Sequence, residues 1–199
     1  MKPGTQPVSM ESLAQRRRFR RKVQGIAAAL LPYESDGKVA VEAFQQHLVA
    51  THRAGLDIPE IKGIKHSSLD RLLELERIAL RDSHRPDFRI YSGNDLGIDM
   101  IEYGSDYWLG LATFAPEKFA ERDRLWENGD PDYYAISDAL QYLGDVAFRE
   151  PVPAYKHSAA VFLHLVGRIP SDLTHPKNPK RPSWEWQILH DCARRLGYE

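Results

Sequence analysis

The stretch Ile58-Pro59-Glu60-Ile61-Lys62-Gly63-Ile64-Lys65-His66-Ser67-Ser68 decides how the rest of the chain is read. Its apolar residues alternate with polar ones and then run out into a serine turn, the pattern of a strand that ends at a polar rim. With a period of two, Ile61, Gly63 and Lys65 share one face, while Lys62 and Ile64 share the other. Gly63 leaves room beside the long Lys65 side chain. An amine held among apolar groups is disfavoured in its charged form, and a neutral amine can attack a carbonyl to form a Schiff base. Lys65 is therefore the candidate nucleophile. A surface lysine at a strand end remains the plain alternative at this level. His66 points to the opposite face as a structural residue, and Ser67 or Ser68 is placed to cap a following helix.

Working outward, the same unit recurs. Gly25-Ile26-Ala27-Ala28-Ala29-Leu30-Leu31-Pro32 is an apolar run suited to a strand buried on both faces. The turn Glu34-Ser35-Asp36-Gly37 leads to a predicted helix over residues 41–54, with Val41, Phe44, Leu48 and Val49 on one stripe and Gly55 as its stop. Strands follow at 60–65, 88–92 and 107–112, and helices at 69–80, 96–103 and 117–127. Thr113 is a candidate cap and Pro116 sits at the start of the last of these. Three more helices are expected near 132–143, 152–165 and 184–196, the last two separated by the basic, proline-rich connector His175-Pro176-Lys177-Asn178-Pro179-Lys180-Arg181-Pro182. Strand, turn and helix in alternation predict an α/β fold with a parallel sheet. The organisation expected is a basic, flexible N-terminal extension over 1–21, βα units over 22–130 and a helical region over 131–199.

Composition narrows the function classes. The 199 residues carry 27 Lys plus Arg against 28 Asp plus Glu, a balance unlike a surface built to neutralise nucleic acid. The run Arg16-Arg17-Arg18-Phe19-Arg20-Arg21-Lys22 could touch RNA or an anionic lipid surface, but a solvated lead-in helix is the expectation. It superficially resembles a twin-arginine export signal, yet the apolar run after it is short and no small-residue cleavage site follows. The single Cys192 fits a reducing, cytoplasmic setting. No apolar run approaches the roughly 20 residues of a membrane span. Scattered histidines suggest no metal, and neither a GxGxxG turn nor a Walker loop suggests a nucleotide, so no cofactor is expected.

With the strands laid out, the chain resembles the dihydrodipicolinate synthase / N-acetylneuraminate lyase family of class I aldolases, which fold as (β/α)8 TIM barrels. Gly25 to Tyr33 with Asp36-Gly37 looks like the family's first strand, and Ile58-Pro59 through Lys65 and Ser67 like its sixth. That match implies that Lys65 is the Schiff-base lysine for pyruvate or another 2-oxo acid. Ser92-Gly93-Asn94-Asp95 resembles the loop after the seventh strand, so Gly93, Asn94 and Asp95 become substrate-binding candidates, with hydroxyl binding or the holding of Lys65 as roles for Asn94 and Asp95. Gly104-Ser105-Asp106-Tyr107-Trp108-Leu109-Gly110-Leu111-Ala112 resembles the eighth strand and places Leu109 at the pyruvate-contact position. Pro151-Val152-Pro153-Ala154-Tyr155-Lys156 looks like the start of the C-terminal helical region.

Leu56-Asp57 runs straight into the strand that resembles the sixth, so strands two to five have no counterpart. Their absence removes the Gly-Thr-Thr-Gly loop that holds the substrate carboxylate in the family, and the strand carrying its proton-relay tyrosine. The expected fold is thus an incomplete (β/α)8 barrel of about four parallel βα units. Barrel order six, seven, eight, one would ask the chain to cross from the first helix to the lysine strand in about five residues, roughly 17 Å extended. That distance favours a simple 1-6-7-8 sheet, or pairing of two chains through open edges. The function implied is a Schiff-base lyase or aldolase on a small 2-oxo acid. The alternative is a catalytically silent, truncated relative that acts as an assembly or interaction protein.

Overall fold

The structure, a computed structural model, describes residues 10–23, 25–27, 32–36, 40–54, 63–84 and 86–198. Four short parallel strands form one sheet: β1 (Gly25–Ala27), β2 (Gly63–His66), β3 (Arg89–Ser92) and β4 (Asp106–Leu109). Their spatial order is β1-β4-β3-β2. Read from the lysine strand, this is the barrel order six, seven, eight, one, and it corrects the expectation of a 1-6-7-8 sheet. The physical reason is reach. Nine residues separate the end of helix α2 (Val41–Arg53) from Gly63, which is 63 − 53 − 1, and at about 3.3 Å each they span roughly 30 Å. The junction at Ile58-Pro59 lies outside the described residues.

Local chemistry explains where the elements start and stop. Helix α3 (Arg71–His84) is capped by Asp70, whose Oδ1 accepts the Leu72 and Leu73 amides at 3.0 and 3.1 Å. Ser68 Oγ instead accepts the Asp70 amide at 3.0 Å, so the serines expected as caps build the turn before it. The strand expected over 107–112 ends at Leu109, because Gly110 turns into the helical region and residues 111–113 form a single 3-10 turn. Thr113 is buried, its hydroxyl without a partner among the described residues, and it does not cap helix α4 (Pro116–Asn128). That helix begins on Pro116 itself. Helices α5 (Asp132–Ala147), α6 (Tyr155–Leu165) and α7 (Glu185–Arg195) follow.

The main core lies on the helix-facing side of the sheet. There Tyr107, Leu109, Phe114, Phe119, Trp126, Leu140, Phe162, Leu189 and Cys192 are buried together. A smaller cluster of Leu75, Ile78, Ile90 and Met100 sits between α3 and β3, with Leu13 of helix α1 (Met10–Gln15) against it. The basic run is a staple along the bottom of the sheet rather than a solvated helix. Arg17 pairs with Glu102, Arg18 with Asp82, and Arg21 with Asp106 at 3.1 Å. In the proline-rich connector, Arg181 donates to the carbonyls of Ala147, Arg149 and Glu150 at 2.9, 2.6 and 3.0 Å, closing the open end of α5 and tying it to the segment before α7. Among the described residues no helix is long and apolar enough to cross a membrane.

Candidate active site around Lys65

The register of the ladder decides which side chains meet. Lys65 lies opposite Tyr91, and Tyr91 opposite Asp106. Residues paired across a parallel ladder share a face, so Lys65, Tyr91, Asp106 and, two positions on, Trp108 all look to the concave side. His66, Ser92, Tyr107 and Leu109 look to the helices. This side carries His66 buried against Glu74 of α3, whose carboxylate accepts the Ser92 hydroxyl at 3.2 Å and the Ser105 hydroxyl at 2.5 Å. The side chain of His66 is therefore a structural group.

At the upper, C-terminal end of the concave face lies a cavity of about 250 Å³. Lys65, Gly93, Asp95, Trp108, Gly110 and Tyr155 supply its walls, with Leu69, Leu96, Phe148 and Val152. The Lys65 Nζ lies 5.7 Å from the centre of the Trp108 ring, within cation–π range. Gly93 is required by space: a Cβ there would stand 2.5 Å from Lys65 Cε and 2.9 Å from the His66 carbonyl oxygen. Gly110 has the same use on the far wall, where a Cβ would stand 3.1 Å from the Phe148 ring and 3.3 Å from that of Tyr155. Phe148 and Tyr155 stack at 4.6 Å between centroids.

Asp95 joins the turn after β3 to the end of β4. Its Oδ1 accepts the Leu111 amide at 2.7 Å, just past the end of β4. Burial pushes its carboxyl up to about 6, against the opposing pull of the Leu111 amide and of the nearby Lys65. The Tyr155 hydroxyl is raised above the ordinary phenol value by burial and then by the charge of Asp95. Asp95 is the single carboxylate and Lys65 the single cation among the described residues that line the cavity.

Of the residues singled out from sequence, the structure brings Lys65, Gly93 and Asp95 together. Asn94 is buried beside them and serves the turn, its Oδ1 accepting the Leu96 amide at 3.1 Å. Leu109 is fully buried on the helix-facing side, away from the cavity, because strand alternation gives the concave position to its neighbour Trp108. Trp108, Phe148 and Tyr155 were not anticipated. The register of β4 against β3 is a tertiary property, and Phe148 and Tyr155 come from the helical region with no local motif to mark them.

No protein-family model matches the sequence, and no curated protein matches it. Solved structures do. The chain is similar to a monomeric dihydrodipicolinate synthase variant, with 20% identity and a TM-score of 0.60 over 77% of this chain and 51% of that one. It is similar to dihydrodipicolinate synthase from Thermotoga maritima, with 18% identity and a TM-score of 0.59 over 90% and 58%. A dihydrodipicolinate synthase from Rhodopseudomonas palustris aligns at 11% identity with a TM-score of 0.68 over 88% and 98%. The fold is that of the dihydrodipicolinate synthase family. The chain spans about half the length of the first two structures it matches. Another similar structure, the E. coli prophage protein YagE of the same family, is a complex with pyruvate.

Proposed function

We propose that this chain is a Schiff-base-forming lyase or aldolase of the dihydrodipicolinate synthase type, with Lys65 as nucleophile and pyruvate or a related 2-oxo acid as substrate. The observation that carries the reading is the placement of Lys65 in a cavity at the C-terminal end of parallel strands, the end where barrel enzymes of this kind hold their chemistry. The Lys65 amine attacks the C2 carbonyl, and the carbinolamine loses water to give an iminium. The iminium withdraws electrons from C3, so that a C3–H or C3–C4 bond breaks to leave an enamine. Trp108 and Phe148 give the cavity aromatic walls beside the amine, which itself stays open to solvent. Among the described lining residues there is no second cation for the substrate carboxylate, so weak binding of pyruvate is expected.

Reduction with borohydride in the presence of pyruvate tests the reading. A stable adduct on the wild type, absent from Lys65→Ala, is expected; no adduct at saturating pyruvate would sink it. Self-association belongs to the same proposal. Among the described residues β1 and β2 are free edges, and Ile64 on β2 is 43% exposed. A second copy can place its β1 beside this β2 and its β2 beside this β1. Sedimentation at micromolar concentration should show a dimer, and a cooperatively unfolding monomer would contradict this.

A further inference from the structure

Schiff-base chemistry needs a group that can give and then take a proton within reach of the imine, and the family's tyrosine strand has no counterpart here. The cavity offers two ionisable groups besides Lys65, namely Asp95 and Tyr155. We propose that Asp95 is the proton-transfer group of this site, acting on substrate bound to Lys65. The assignment rests on the Lys65 reading above.

The geometry is specific. Asp95 is anchored at one oxygen by the Leu111 amide at 2.7 Å, which fixes the carboxyl against the cavity wall while it shares that cavity with Lys65. The charged and titratable groups facing it are Lys65 from β2 and Tyr155 from α6. From α5, the amide of Gln141 reaches the Asp95 backbone carbonyl at 3.4 Å, and Asp145 is bonded to the far side of that amide. No second carboxylate competes for the role among the described lining residues.

The proton count closes over one cycle. Protonated Asp95 gives its proton to the hydroxyl of the neutral carbinolamine, which departs as water and leaves the cationic iminium and the Asp95 carboxylate. The carboxylate then removes a proton from C3, giving the neutral enamine and restoring protonated Asp95. A carboxyl held near 6 by burial serves both steps around neutral pH, where an ordinary exposed aspartate would be a poor acid. Tyr155 closes the far wall, and its hydroxyl, raised above the ordinary phenol value, is a poorer proton carrier near neutral pH than the Asp95 carboxyl.

The test separates this assignment from the reading beneath it. Two quantities are followed with pyruvate as the probe: the borohydride adduct on Lys65, and exchange of the pyruvate methyl hydrogens for deuterium by NMR. For the wild type, both are expected, with the exchange rate bending near pH 6. Asp95→Asn keeps an acceptor for the Leu111 amide, so the adduct should still form at equilibrium, though more slowly, while exchange falls at least about 100-fold and loses its bend. Asp95→Glu should recover part of the rate. An adduct with exchange at the wild-type rate in Asp95→Asn overturns the assignment alone, as does a wild-type profile flat across pH 5 to 8. A wild type that forms no adduct overturns the Lys65 reading and this one with it.

Discussion

The two faces of the four-stranded sheet are finished differently. On the helix-facing side the large groups of β3 and β4 are enclosed, and the charged ones packed against them are paired. Fully buried Arg122 donates to Asp123 at 2.7 Å and lies over the Tyr107 ring, while the Tyr107 hydroxyl donates to Asp123 at 2.7 Å. On the concave side Lys65 is exposed, Trp108 is 42% exposed and Asp95 carries a carboxyl that burial has pushed upward. The difference separates stability from chemistry. A residue that only holds the fold can be enclosed and paired, as Arg122 is, whereas a site proposed for chemistry keeps groups with unspent interactions.

Mutations should break this comparison in a definite order. Arg122→Ala strands Asp123 in the core, and loss of about 3–5 kcal/mol in a denaturant titration is expected. An unchanged midpoint would show that the cluster is not the anchor described. Gly93→Ala comes next: the new Cβ meets Lys65 and the His66 carbonyl, so about 1–3 kcal/mol of stability goes together with most of the borohydride adduct. Retention of a full adduct would place Lys65 elsewhere.

Asp95→Asn should move stability the other way. A carboxyl raised in the fold binds its proton more tightly there than in the unfolded chain. Its penalty is therefore absent below about pH 4, grows as pH rises towards the folded value of about 6, and persists above it. A shift of about two units corresponds to at most roughly 3 kcal/mol, and partial exposure screens it, so a gain of about 1 kcal/mol at pH 8 is predicted, vanishing near pH 4. Equal stability of the two proteins at pH 8 would contradict the burial of that charge. Trp108→Ala should cost least, under about 1 kcal/mol, since the ring is already half in water; its effect should show in weaker pyruvate capture.

The parts that were legible in the sequence are those set by short-range chemistry. The alternation around Lys65 put it opposite His66, the run of βα units announced a parallel sheet, and the breaks at Gly93 and Pro116 marked real boundaries. What stayed hidden depends on packing between distant segments. Which strand neighbours which was misjudged, because the expectation rested on linker reach rather than on the packing that sets the strand order. Leu109 and Trp108 differ by one position, and only the ladder register tells which of them meets Lys65. Tyr155 reaches the cavity through the placement of α6, sixty residues after Asp95, which is 155 − 95. Arg17, Arg18 and Arg21 read as a solvated run because their acidic partners, Glu102, Asp82 and Asp106, are far along the chain.

The claim on which the rest stands is that the open face of this half-barrel still carries a working nucleophile. Its most direct measurement is peptide mapping after borohydride reduction with pyruvate. The account predicts a single modified peptide in which the reduced adduct sits on Lys65, and its loss in Lys65→Arg with the fold intact. Modification spread over several surface lysines, or an unmodified Lys65 at saturating pyruvate, would contradict it.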